Sequence, residues 1–202
     1  MNVKQIALGL MLATNVLTAY AEETRLALAP ELKNQENLYT VEVVLFKQKQ
    51  PAYSEESLTS EQVEIDFTDA RLPIPYDGMP LSANEELEKS QYALTNETSQ
   101  LKRQGYEVLY HNAWLQQFNP YTKSTLMVVD PLGSFEGTLR IDRQRFLHVY
   151  PDIHLFTATG AEQAGQTIRM QESRRMRSEE LHYIDHPVLG MLVLFRPVAD
   201  AG

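Results

Sequence analysis

Between Arg174 and Pro197 the chain reads RRMRSEELHYIDHPVLGMLVLFRP, and no other stretch gathers so much side-chain chemistry. Arg174, Arg175 and Arg177 come first, then Glu179 and Glu180, then His182, Tyr183, Asp185 and His186. The two histidines stand at i and i+4, a zinc spacing where a helix puts both on one face. Here Pro187 follows directly and the pattern reads as a turn between strands, so a third ligand would have to come from His148 or His154. Glu179 and Glu180 are adjacent, point to opposite sides of a strand and cannot flank one bond. The chain has no G-x-S-x-G, no H-E-x-x-H and no cysteine, which leaves nucleophilic and zinc-hydrolase schemes without residues to run on. The expectation is a protein without catalytic residues, metal or cofactor. What remains is the arginine group. Guanidinium groups take carboxylates bidentately, either from a ligand or from the protein's own Asp and Glu.

Aromatic faces are the second resource, because they stack on the apolar faces of sugar rings. Tyr110, Trp114, Tyr121, Tyr150 and Tyr183 qualify by type; Trp114, the single tryptophan, has Leu115 and Phe118 beside it and is equally suited to a core. The candidate ligand-binding residues are therefore Arg174, Arg175, Arg177, His182, Tyr183, Asp185, His186 and Trp114.

The elements that must position them are mainly strands. Leu38 to Gln48 is β-branched and aromatic with apolar residues on both faces, the mark of a central strand. Residues 49–81 lack periodicity, carry many acids and end in LPIPYDGMP; Val63, Ile65 and Phe67 alternate there as a short edge strand. Ser82 to Gln104 reads as one long helix. Ser82 with Glu85 fits a capping box, Leu87, Leu94 and Leu101 form a narrow stripe, and Gly105 sits where the chain must leave the helix. Strands follow at Tyr106–Trp114, Thr125–Val129, Phe135–Asp142, Arg145–Phe156, Gln166–Arg177 and Val188–Pro197. A turn lies at 157–165, and Arg174–His186 forms a hairpin against the last strand. The expected fold is α+β: a mainly antiparallel β-sheet of about six to seven strands with one long α-helix on one face.

A formal net charge of −9 excludes a general phosphate-backbone binder. Residues 1–21 have the form of a signal peptide: Lys4, the apolar run Ile6–Leu17, and Ala19-Tyr20-Ala21 with a cut after Ala21. Glu22 stands where a lipoprotein needs cysteine, so neither a lipid tether nor a membrane anchor is expected. A flexible lead at 22–37 and a single domain at 38–198 complete the expected organisation.

Four stretches carry a resemblance: YTVEVVLFKQ (Tyr39–Gln48), YEVLYHNAWLQ (Tyr106–Gln116), GTLRIDRQRFLHVYPDIHL (Gly137–Leu155) and RRMRSEELHYIDHPVLGMLV (Arg174–Val193). In this order they resemble the CsiV-like periplasmic peptidoglycan-binding proteins of Gram-negative bacteria. The resemblance implies a non-enzymatic periplasmic protein that binds peptidoglycan and supports cell-wall synthesis and cell shape. The partners it implies are the wall polymer, a class A penicillin-binding protein synthase complex and that complex's outer-membrane lipoprotein activator. The alternative is an adaptor that regulates the synthase without touching glycan. The resemblance carries no binding residues with it.

Overall fold

The segment LYTVEVVLFK forms strand β1 (Leu38–Lys47), and its burial is almost continuous because both faces are covered. The structure, a computed structural model, describes residues 26–32, 35–51, 58–59, 64–79, 81–119, 123–156 and 167–198. The signal segment with its cut after Ala21, Val63, Tyr121 and the turn at 157–165 lie outside the described residues. Strand β1 pairs antiparallel with β4 (Glu107–Gln117) and with β11 (Leu189–Pro197), and β11 pairs with β10 (Leu181–Asp185). These strands form a four-stranded sheet in the order β10-β11-β1-β4.

A second sheet is built from β5 (Lys123–Met127), β6 (Phe135–Arg143), β7 (Leu147–Phe156) and β8 (Thr167–Met170). Two-residue strands β2 (Leu58–Thr59) and β3 (Ala70–Arg71) close its edges, and β9 (Arg174–Met176) pairs with β7. The β3–β5 pair is parallel and the other named pairs are antiparallel.

The expected single sheet is thus two sheets sharing a core. Val41, Val43, Leu45, Trp114, Met191, Val193 and Phe195 from the small sheet meet Leu139, Ile141, Val149, Ile153, Ile168 and Met170 from the large one. Each such side chain contributes roughly 2 kcal/mol when fully buried. The other face of β1 is apolar too: Val44 and Phe46 cluster with Leu192, Leu194, Leu94, Leu101 and Tyr106. Apolar runs on both faces of β1 and β11 therefore report a middle layer.

The long helix expected over Ser82–Gln104 is replaced by three conformations. Helix α1 spans only Thr95–Arg103, preceded by a 3-10 turn at Lys89–Gln91, and it is the one α-helix among the described residues. The residues before it are extended along the edge of β4. Asn84 N–H donates to the Leu115 carbonyl at 2.7 Å, Leu87 N–H to that of Ala113 at 2.8 Å, and Leu115 N–H to that of Glu85 at 2.8 Å. Satisfying the open edge of β4 outweighs local helix propensity. The Ser82–Glu85 pair still forms half a box, with Ser82 N–H donating to Glu85 Oε2 at 2.8 Å, but Asn84 turns the chain with φ 65°. The leucine stripe splits accordingly. Leu87 joins Leu28, Leu32, Leu81 and Leu115, while Leu94 and Leu101 join the cluster of Val44. Gly105 ends α1 as expected, with φ 84°.

Several smaller expectations also change. The described part of the 22–37 lead is anchored, since Ala29 N–H donates to the Leu81 carbonyl at 2.9 Å and Leu28 and Leu32 are buried. Ile65 and Phe67 belong to no strand; the short edge strands fall at β2 and β3 instead. The single strand expected over Gln166–Arg177 is interrupted between β8 and β9. No helix among the described residues is long and apolar enough to cross a membrane.

Candidate functional site: a polar cleft on the large sheet

In an antiparallel pair, residues directly opposite share a face. The register of β6 on β7 sets Thr138 across from Asp152, Arg140 across from Tyr150 and Asp142 across from His148. Leu139 and Ile141 alternate with them into the core, so these polar pairs stand on the outer face. Strand β5 extends the rows, with Thr125 opposite Arg140 and Lys123 opposite Asp142. Strand β9 adds Arg175 opposite His148.

On this face the Arg140 guanidinium lies 4.0 Å from the Tyr150 ring centroid, a cation–π contact. Its only carboxylate contact among the described residues is Nε to Asp142 Oδ1 at 3.5 Å. Asp152 is held by Arg169, whose Nε and Nη2 donate to its two oxygens at 2.8 Å each. Burial pushes the Asp152 carboxyl upward, but the hydrogen bond and charge of Arg169 outweigh it and hold the group below the usual carboxylate range. Next to it His154 is buried, and desolvation lowers its pKa against the pull of Asp152. His154 stands on the same face of β7 as His148 and Tyr150 but is only 3% exposed.

Around the Arg140–Tyr150 pair runs a cleft of about 1020 Å³. The large sheet and its flanks contribute Arg71, Lys123, Thr138, Arg140, Tyr150 and Asp152, and β4 with its edge segment contributes Asn84, Gln116 and Gln117. Asp66, Asp69, Gln171 and Ser173 complete the rim. Such a wall of hydrogen-bonding and charged groups suits a polar, multiply bonded ligand.

The arginine–histidine stretch is placed differently. Its expected hairpin does not form, because β9 belongs to the large sheet and β10 to the small one, and the turn between them crosses from layer to layer. Glu179 makes that turn with φ 63°. Arg174 donates from Nη1 to the Tyr183 carbonyl, tying the two sheets together. Arg175 lies 4.7 Å from the Phe146 ring centroid, and Arg177 reaches Glu180 at 3.5 Å. His182 packs its Nε2 against the Arg177 backbone at 3.0 Å, and burial lowers its pKa. Tyr183 stacks on Phe46, donates to Asp185 Oδ1 at 2.7 Å and accepts from Gln48 Nε2 at 2.7 Å; burial raises its pKa. His186 is buried at the β10–β11 turn, where Nδ1 accepts from Val188 N–H at 3.2 Å and Leu189 N–H at 3.3 Å. Four residues of strand separate the two histidines by roughly 13 Å, too far to share one ion. Among the described residues no group of three or more His, Asp or Glu side chains is placed to hold a metal. Trp114 is fully buried, with Nε1 donating to Gln116 Oε1 at 3.3 Å, so it offers no face to a sugar.

A family model described as "Peptidoglycan-binding protein, CsiV" matches residues 11–198. The chain belongs to the CsiV family. No curated protein and no solved structure matches it. The stretch Gly137–Leu155 of this CsiV-family chain supplies Thr138, Arg140, Tyr150, Pro151 and Asp152 to the cleft. The alternation in that stretch was the available signal for the site. What the alternation lacked was the register that sets Arg140 on Tyr150 and the neighbouring edge that closes the cleft.

Proposed function

We propose that this protein binds peptidoglycan in the cleft around Arg140 and Tyr150 and, acting in the periplasm, supports cell-wall synthesis and cell shape. The observation that carries the reading is the placement of that cleft. It is a large polar concavity in a chain from a peptidoglycan-binding family, and one of the stretches that first suggested the family supplies part of its lining. Peptidoglycan presents amides, hydroxyls and carboxylates, which match the Arg, Lys, Asn and Gln groups of its walls. The Arg174–His186 stretch has most of its polar capacity used internally, and on this reading it holds the two sheets together. The leader-like segment at 1–21 supports export to the periplasm.

Sedimentation with purified sacculi tests the proposal. The expected result is co-pelleting at low salt that weakens as salt rises, because a chain of net charge −9 approaches an anionic wall through local cations. Arg140→Ala should reduce pelleting while Arg177→Ala should not. Absence of pelleting at low salt would overturn it.

The adaptor reading has one observation in its favour. Leu72, Ile74, Tyr76 and Met79 are exposed along one extended segment, with Ile74 bonded to the Asn84–Glu86 edge. Exposed apolar residues in series suit a protein partner. A synthase complex recovered by crosslinking after wall digestion, and lost on changing Leu72 and Ile74 to Ser, would favour it.

A further inference from the structure

The cleft holds charges of both signs, and few of them neutralise one another. Arg71, Lys123 and Arg140 line it with Asp66, Asp69 and Asp152. Asp152 is already matched by Arg169 through two hydrogen bonds. Asp66 accepts the Thr68 N–H in a local turn and has no cation beside it among the described residues. Arg71, Lys123 and Asp69 likewise have no salt-bridge partner among the described residues. Two cations without a close carboxylate, Arg140 with its single 3.5 Å contact to Asp142, and two acids without a cation thus face one concavity.

A sugar-binding site would offer a bare aromatic face. Here one face of Tyr150 is covered by the Arg140 guanidinium at 4.0 Å, and Trp114 is buried. Among the described lining residues Tyr150 is the one aromatic, with one face taken by Arg140, while groups for ionised ends are numerous.

Resting on the peptidoglycan reading, we infer that the cleft recognises the zwitterionic end of a stem peptide rather than the glycan strand. Arg140 and Lys123 receive its free carboxylates, and Asp66 with Asp69 receives its free amine. Lys123 and Arg140 stand on adjacent strands on one face, in neighbouring rows of the β5–β6 pair. Two carboxylates on one residue, or on residues next to each other, can reach both. Peptides whose amine is consumed in a crosslink lose the acidic contact, so uncrosslinked stems are preferred.

The experiment compares sacculi carrying their peptides with sacculi stripped to bare glycan by an amidase, and adds a soluble wall tripeptide ending in diaminopimelate as competitor. The expected result is pelleting by intact sacculi, a loss of about tenfold or more on bare glycan, and competition by the tripeptide that weakens when its side-chain amine is acetylated. Lys123→Ala, an exposed substitution, should weaken tripeptide competition, and Asp69→Asn should abolish the discrimination against the acetylated form. Equal pelleting by bare glycan and intact sacculi would overturn the peptide assignment while leaving wall binding in place. Failure to pellet with either would overturn both.

Discussion

Arg140 and Tyr150 face each other across the β6–β7 pair, with the guanidinium 4.0 Å from the ring centroid and both residues lining the cleft. The tyrosine holds the arginine in place at little entropic cost, so a ligand meets a preset cation. Tyr150→Leu should keep the fold, since the residue lies on the outer face. It should weaken sacculus binding by about threefold to fivefold, the loss of roughly 0.5–1 kcal/mol of positioning. Arg140→Ala removes the charge as well and should cost about tenfold or more. Titrated pelleting with both variants checks the order.

Trp114 reports on the same question from inside. As the only tryptophan, buried completely between the sheets, it should emit at short wavelength and resist acrylamide quenching. Saturating wall fragments should leave that emission unchanged. Trp114→Phe should lower the unfolding midpoint through a loss of about 1–3 kcal/mol and leave binding intact. A spectral shift on binding would place ligand against the core side of β4.

Glu42 is a buried acid with a structural task. Its oxygens accept Ala93 N–H at 2.7 Å and Leu94 N–H at 2.9 Å at the start of α1, and Oε1 also meets His111 Nε2 at 2.7 Å. A carboxylate from β1 thus caps the helix that covers β1, with the helix dipole in its favour. Glu42→Ala leaves those donors without a partner and should cost about 3 kcal/mol in denaturant unfolding. Protein that remains folded should still bind sacculi.

Gly190 lies where β11 passes under two rings. A methyl group at this position would run into the Phe46 ring and stand 3.0 Å from the Tyr183 ring. Gly190→Ala should therefore destabilise by roughly 1–3 kcal/mol through overpacking. Loss of the Phe46–Tyr183 stack should show in the near-ultraviolet circular dichroism spectrum.

Acid should loosen the protein through histidines. Burial lowers the pKa of His154, His182 and His186 from the ordinary 6.5. A base with a depressed folded pKa is stabilising in its neutral form. That stability is complete above the unfolded pKa and is lost as pH falls through the folded values. The urea midpoint should be flat well above the ordinary histidine value and should fall as pH drops below about 6.5. His186→Asn should flatten part of that slope. Asp152, whose pKa is lowered, adds its loss only at more acid pH, below the ordinary carboxylate value of 3.8.

Strand identity was legible in the sequence wherever alternation was sharp. The strand expected over Phe135–Asp142 forms, and its alternating Phe135, Leu139 and Ile141 are buried. The doubly apolar β1 read as central and sits, with β11 beside it, in the middle of the small sheet. Family membership was legible for the same reason, since its stretches are the strands themselves. The helix was misread because Ser82, Glu85 and the leucine stripe are local signals, and a local signal does not know that β4 has an open edge. Leu87 repeats in phase with Leu94 and Leu101, yet it is buried in a different cluster.

The sequence by itself determined most of the long strands, where Gly105 ends the helix and which family the chain resembles. These follow from periodicity and local conformational preference, which act within a few residues. Only the tertiary structure decided that the strands form two sheets and that Arg174 ties one to the other. It alone decided that Trp114 is core and that Arg140, Tyr150, Lys123 and Asp69 share a cleft. Those facts depend on the pairing of strands far apart in the chain. Pairing sets register, and register decides which polar side chains meet.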